Sequence, residues 1–219
     1  MRTCVIALAL GLLINAFGNA LTITSSMGSG VWTAAAVNLS HVTGVSVGLF
    51  IFAFGVFNTV CNQFLLWTVD IPRFVEEIFY ISCFSYAVNF FTNLCLAMGL
   101  GQLGLIARIV MAILGVTLFC IAISMYQRAN LFMHPNDDTS NILRFKYCHG
   151  SAVASQLIDM LPPIIIFIGC GLLMGKIYSV NVGTIYSICC NGLLIKYADR
   201  WIWPSLVHNF RKNENYGNR

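Results

Sequence analysis

Apolar residues fill six stretches of this chain, near residues 4–24, 46–69, 76–98, 105–126, 151–174 and 180–199. Each is about 20 residues long, enough for an α-helix to cross a hydrocarbon core ~30 Å thick. The runs are continuous, without the alternating ~10-residue pattern of membrane barrel strands. Most connections between them are short, but two are long, at 25–45 and 127–150. The pattern predicts an all-α membrane protein with six transmembrane helices.

The two long connections divide the chain into halves of the same order: span, long polar segment, span, short loop, span. "EIFYISCF", Glu77 to Phe84, can be laid on "GTIYSICC", Gly183 to Cys190, which matches Tyr80 with Tyr186 and Cys83 with Cys189. "SGVW" then aligns with "HPND", and each long segment ends at a glycine, Gly44 or Gly150. The expected halves are 1–98 and 99–200, followed by an interfacial tail at 201–219. Three spans is an odd number, so the second half enters the membrane upside down. That is an inverted-topology repeat, which in transporters places sites at the repeat interface.

Each half is expected to carry a short re-entrant or interfacial helix after its first span. In "MGSGVWTAAAVNLSHVTG", Met27 to Gly44, there is no charged residue. A glycine turn precedes an alanine-rich helix of about three turns, with Val31, Ala35, Asn38 and Val42 on one side. Two readings stand. The helix dips into the protein, where its polar groups are covered or face a wet cavity, or it lies flat at the outer interface with Trp32 as anchor. Dipping would carry Trp32 and Asn38 toward Asp159. The second segment, "MHPNDDTSNILRFKYCHG", is more polar. It reads as a solvated cytoplasmic connector, with Asn136, Asp137 or Asp138 capping a helix that starts near Thr139, and with Arg144 and Lys146 in its last turns.

Composition agrees with the class. Of 219 residues 58% are hydrophobic and 9% charged, with a mean hydropathy of +0.79, against roughly 25% charged in soluble domains. Given six spans, Arg2, Arg73, Arg128, Arg144, Lys146, Lys196, Arg200, Arg211, Lys212 and Arg219 share one side, and Arg108 and Lys176 the other. That bias puts both termini in the cytoplasm of a multi-pass cell-membrane protein. The net charge of +4 is thereby explained without nucleic acid. Trp201 and Trp203 read as interfacial anchors ahead of a polar end in water. The nine cysteines contain no Cys-x-x-Cys, so neither a metal nor a cofactor is expected.

Asp159 is the most informative residue. It lies about nine residues into the fifth span, about 13 Å deep at 1.5 Å per residue. A carboxyl group there is expensive and marks a functional site by default. Pro162 and Pro163 follow and suggest a broken helix. Asn15 and Asn19, Asn58 and Asn62, and Asn89 and Asn93 are each spaced i, i+4, so each pair shares a helix face. Such amides act as interhelical glue, at about 0.6 kcal/mol each, or line a polar cavity that Asn191 would join. Glu76 and Glu77 are expected in water near Arg73, and Arg108 is expected to snorkel to the interface.

The run from Gly18 to Gly48, "GNALTITSSMGSGVWTAAAVNLSHVTGVSVG", resembles the first-half pattern of the YczE/YyaS/YitT group of bacterial membrane proteins. That pattern has a Gly-x-Ala-Leu run, a Gly-x-Gly-Pro-Trp-like turn, and a helix ending in Thr-Gly-x-Ser-x-Gly. "LIDMLPPIIIFIGCGLLMGKIYSVNVGTIYSI" resembles its second half, with an Asp-bearing helix and a Gly-Thr that opens the last helix. The resemblance covers roughly Gly11 to Lys196. Val31 stands where the pattern has Pro, and Thr33 where it often has Asp. The resemblance implies the fold and topology rather than an activity.

No nucleophile with a base, phosphate loop or metal cluster stands out, so an enzyme is not expected. The leading expectation is a secondary transporter of a small solute in the lipid bilayer. Its site would draw on Asp159, Trp32, Asn38, Asn191 and the three asparagine pairs. The alternative is an accessory or substrate-binding membrane subunit that needs a partner. A homodimer is compatible with either.

Overall fold

The computed structural model describes residues 2–45 and 47–208, and these form eight α-helices and no strand. The helices are α1 (Arg2–Ser25), α2 (Val31–Thr43), α3 (Val47–Leu66), α4 (Ile71–Ala97), α5 (Leu105–Ala129), α6 (Pro135–Ile142), α7 (Ala152–Met174) and α8 (Val182–Trp201). Five of them, α1, α3, α4, α5 and α7, are long and apolar enough to cross a membrane. The long apolar runs of the sequence therefore became helices within a few residues of their expected bounds. The sixth run, α8, is equally helical but more polar, with Lys196, Asp199 and Arg200 in its last two turns. The polar end of the expected tail, 209–219, lies outside the described residues.

The central contact is α1 against α5. Lipid offers little hydrophobic drive between helices, so close backbone packing has to supply the attraction. Gly18 and Gly115 face each other there. A Cβ on Gly18 would sit 2.7 Å from the Gly115 carbonyl oxygen, and one on Gly115 would sit 2.6 Å from that of Gly18. Gly11 continues the same small-residue seam, where a Cβ would sit 3.3 Å from the Ala122 carbonyl oxygen. Around it the packing runs in matched pairs: α4 lies on α1 and α8 on α5, while α2 lies on α7 and α6 on α3.

The two short helices are held from outside themselves. Gly28, at φ +101°, turns the chain so tightly against α8 that a Cβ would meet the Thr184 nitrogen at 2.8 Å. The Gly183 N–H donates to Met27 O (2.8 Å), and the Thr184 hydroxyl donates to Ser29 O (2.7 Å). At the other end the Asn38 side chain donates to Tyr178 O and accepts from Tyr178 N–H. Val31, Ala34, Ala35, Ala36 and Asn38 are buried, as the dipping reading requires. Val42, expected on the same side, is exposed, because the last turn of α2 leaves the protein.

The second short helix departs from expectation. It begins at Pro135, not near Thr139, and Asn136, Asp138, Thr139, Ser140, Asn141 and Ile142 are buried. It is no solvated connector. Its polar side chains are covered because α3 and α4 supply partners for them. Beyond it, Lys146 and Tyr147 cap the end of α3 through the carbonyls of Leu65 and Leu66. Near α8, the buried Arg128 guanidinium donates to the carbonyls of Asp199, Ile202, Trp203 and Leu206. This ties the segment after α8 to α5. The α7 helix runs unbroken through Pro162 and Pro163, contrary to expectation. Each proline forfeits one hydrogen bond, a loss that surrounding helices can support in a membrane protein.

The glycine seam makes a test with opposite signs. Gly115→Ala is expected to destabilise by ~1–3 kcal/mol through overpacking. Gly169→Ala has nothing within 4 Å of its new Cβ and is expected to be neutral or to stabilise by ~0.5–1 kcal/mol. Thermal unfolding of the two variants in detergent checks both.

Candidate functional site

The first turns of α2 and α6 point to a common cavity of about 300 Å³. From α2 it is lined by Val31, Trp32 and Thr33, and from the α6 turn by His134, Asn136 and Asp137. Asn15 and Asn19 of α1, Ser85 and Asn89 of α4, Gln156 and Asp159 of α7, and Ser187 and Asn191 of α8 complete its polar wall. Phe54, Phe84, Phe119 and Met160 supply much of the apolar surface. The cavity thus lies where both halves of the chain meet. Its size is at the small end of the ~300–1,000 Å³ of ligand pockets.

Trp32 and Asp159 meet across it, with the indole N–H donating to Asp159 Oδ2 at 3.3 Å. Asp159 is buried at 8% exposure, and its Oδ1 has no hydrogen-bond partner. On the other side a chain of hydrogen bonds runs inward. Asn19 donates to Asn15 Oδ1 (2.8 Å), and Asn15 donates to the Tyr126 hydroxyl (3.0 Å). Tyr126 in turn donates to the carboxyl group of Asp137. Burial pushes Asp137 up to about 7, with the Tyr126 bond opposing and the Asp138 charge adding to the rise. Burial also pushes His134 down to about 4, so its imidazole is neutral at pH 7.

A separate network fixes α6. The Arg73 guanidinium grips Asp138 through Nε and Nη2, each at 2.5 Å. Burial alone would raise Asp138, but the charge and bonds of Arg73 hold it below the usual carboxylate range. Asn62 donates to Glu77 Oε1 (2.8 Å) and Pro135 O (3.1 Å) and accepts from the Thr139 hydroxyl (2.7 Å). Asn58 donates to Asn136 Oδ1 at 3.0 Å. Glu77 is 1% exposed, so the expectation that it sits in water is corrected. Arg73 pairs with an acid of the second half, which draws the start of α4 inward.

Of the residues singled out from the sequence, the cavity gathers Asn15, Asn19, Trp32, Asn89, Asp159 and Asn191. Asn38, Asn58 and Asn62 instead fasten the short helices. Asn93, one turn beyond Asn89, is exposed. Helical spacing puts two amides on one face, but only tertiary packing decides what that face meets. His134, Asp137, Gln156 and Ser187 were not anticipated. A proline followed by two acids, at 135–138, is a helix-start signal that would have placed Asp137 in a first turn. Among the described residues no group of three or more His, Cys, Asp or Glu side chains is placed to hold a metal ion.

Comparison with known proteins gives a family but no activity. The chain matches the model of a family of unknown function, DUF6198, over residues 2–200, and so belongs to that family. No curated protein and no solved structure matches it.

The α6 network is expected to behave as a buried ion pair. Arg73→Met leaves Asp138 uncompensated and should cost about 3–5 kcal/mol, whereas removing both charges in Arg73→Met/Asp138→Leu should recover most of that. Denaturant unfolding of the single and double variants measures the difference.

Proposed function

We propose that this protein is a multi-pass membrane transporter of a small solute, built from two inverted three-helix halves. The observation that carries the reading is the central cavity with its polar side chains, reached by the first turns of both short helices and holding the buried Asp159 carboxyl group. The matched packing supports the repeat, since each short helix lies on the middle span of the opposite half. In this reading α8 is the sixth span, both termini are cytoplasmic by the distribution of basic residues, and the cell membrane is the site of action. The likeness to the YczE/YyaS/YitT group belongs to the same reading.

The cavity also holds an acid suited to ion coupling. Asp137, pushed up to about 7, exchanges its proton in the physiological range, which supports proton-coupled secondary transport. The proposal is transport, not catalysis.

Purified protein in liposomes, given a proton gradient and a panel of labelled small metabolites, should accumulate at least one of them. Asp159→Asn should abolish that uptake while the protein still inserts and purifies. Full uptake by the variant would overturn the role of Asp159. Uptake that requires a co-purified partner would favour an accessory subunit instead.

A further inference from the structure

We infer that the central cavity binds a small organic cation, an alkylammonium whose head lies between Asp159 and Asp137 and whose carbon body lies against Trp32, Phe54 and Phe84. The inference rests on the reading of this cavity as a solute site and names the class of solute.

Charge is the first ground. Asp137 and Asp159 line the cavity, and among the described residues no lysine or arginine does. A cation between two carboxyl groups that face one low-dielectric space favours the charged form of both. An anion would meet the opposite field. Two helix starts line the cavity: that of α6 already carries Asp137, and at that of α2 the Trp32 side chain holds the Asp159 carboxyl group.

Hydrogen bonding points the same way. Asp159 Oδ1 and the hydroxyl of the fully buried Ser187 both lack partners, and both residues line the cavity. Polar atoms left unmade in a protein interior cost free energy that a bound ligand recovers. The Asn19 amide gives its N–H to Asn15, and Asn15 gives its own to Tyr126. At these two residues donors are turned into the protein, whereas Asn136 and Asn191 of the same wall give their amide oxygens to Asn58 and Cys120. An ammonium group has three donors and no acceptor.

Shape and polarity separate an organic cation from a bare metal ion. The volume of about 300 Å³ equals on the order of ten waters at ~30 Å³ each, too roomy for one ion. Aromatic faces from three helices suit an alkyl chain and attract a cation.

The test is ligand binding to the full chain in nanodiscs at pH 7, read by thermal shift and titration calorimetry. The probes are butylamine, which is protonated at that pH, neutral butanol and anionic butyrate, at matched ionic strength. Butylamine should raise the unfolding temperature most and butyrate least, because only a ligand that favours the folded state stabilises it. Asp159→Asn should weaken butylamine by about 10- to 100-fold, and Asp159→Glu should restore part of the loss. Equal or greater stabilisation by butyrate would overturn the inference. So would stabilisation by sodium in place of potassium with none by butylamine, or butylamine binding that Asp159→Asn leaves unchanged. If Asp159→Asn fails to fold, the ranking of the three probes on the unmodified protein still decides. Amine binding without uptake in liposomes would remove the transport reading alone. Asp159-dependent uptake of another solute with no amine binding would remove this inference alone.

Discussion

In lipid there is no water to satisfy a polar group, so every polar atom brought inside has to find its partner within the protein. This constraint shapes the centre of the molecule. Its most polar helix, α6, is inside, and it stays there because Arg73, Asn58, Asn62, Gln127 and Gln156 reach it from four other helices. The α2 helix is less demanding, since its alanines need no partners and its Asn38 is closed by one backbone pair. The glycine–alanine seam of α1 and α5 brings the two halves close enough for these bonds to form.

Several buried polar atoms lack a hydrogen-bond partner, Thr59 Oγ1 and Asn141 Oδ1 near α6 among them. Of these, Asp159 Oδ1 and the Ser187 hydroxyl belong to residues of the cavity wall. The hydrogen-bond chain from Asn19 to Asp137 also joins one wall of the hollow to the first turn of α6.

The spans were plain from the sequence because lipid imposes a length and a polarity that few other environments demand. The place of Asp159 within α7 followed from the same runs. Burial of α2 was one of two open readings, since a chargeless alanine-rich helix suits an interface as well as an interior. From the sequence the α6 segment reads as a connector for a physical reason. Its stabilising partners lie far along the chain, Asn58 about 80 residues before Thr139, and no local pattern announces them. The same holds for Glu77, which looks solvated until Asn62 is found beside it. Asparagine spacing gave the right faces but not their neighbours. That is why Asn89 lines the cavity while Asn58 and Asn62 serve as fasteners. A proline within a span signals a break in isolation, but packing carried α7 through Pro162 and Pro163.

The central claim is that both short helices are buried in protein and converge on one cavity. Hydrogen exchange followed by mass spectrometry, on the full chain in nanodiscs, tests it most directly. The account predicts slow exchange across 135–142, comparable to α5, and across the first two turns of α2. Exchange at 135–142 as fast as in a solvated loop would contradict it.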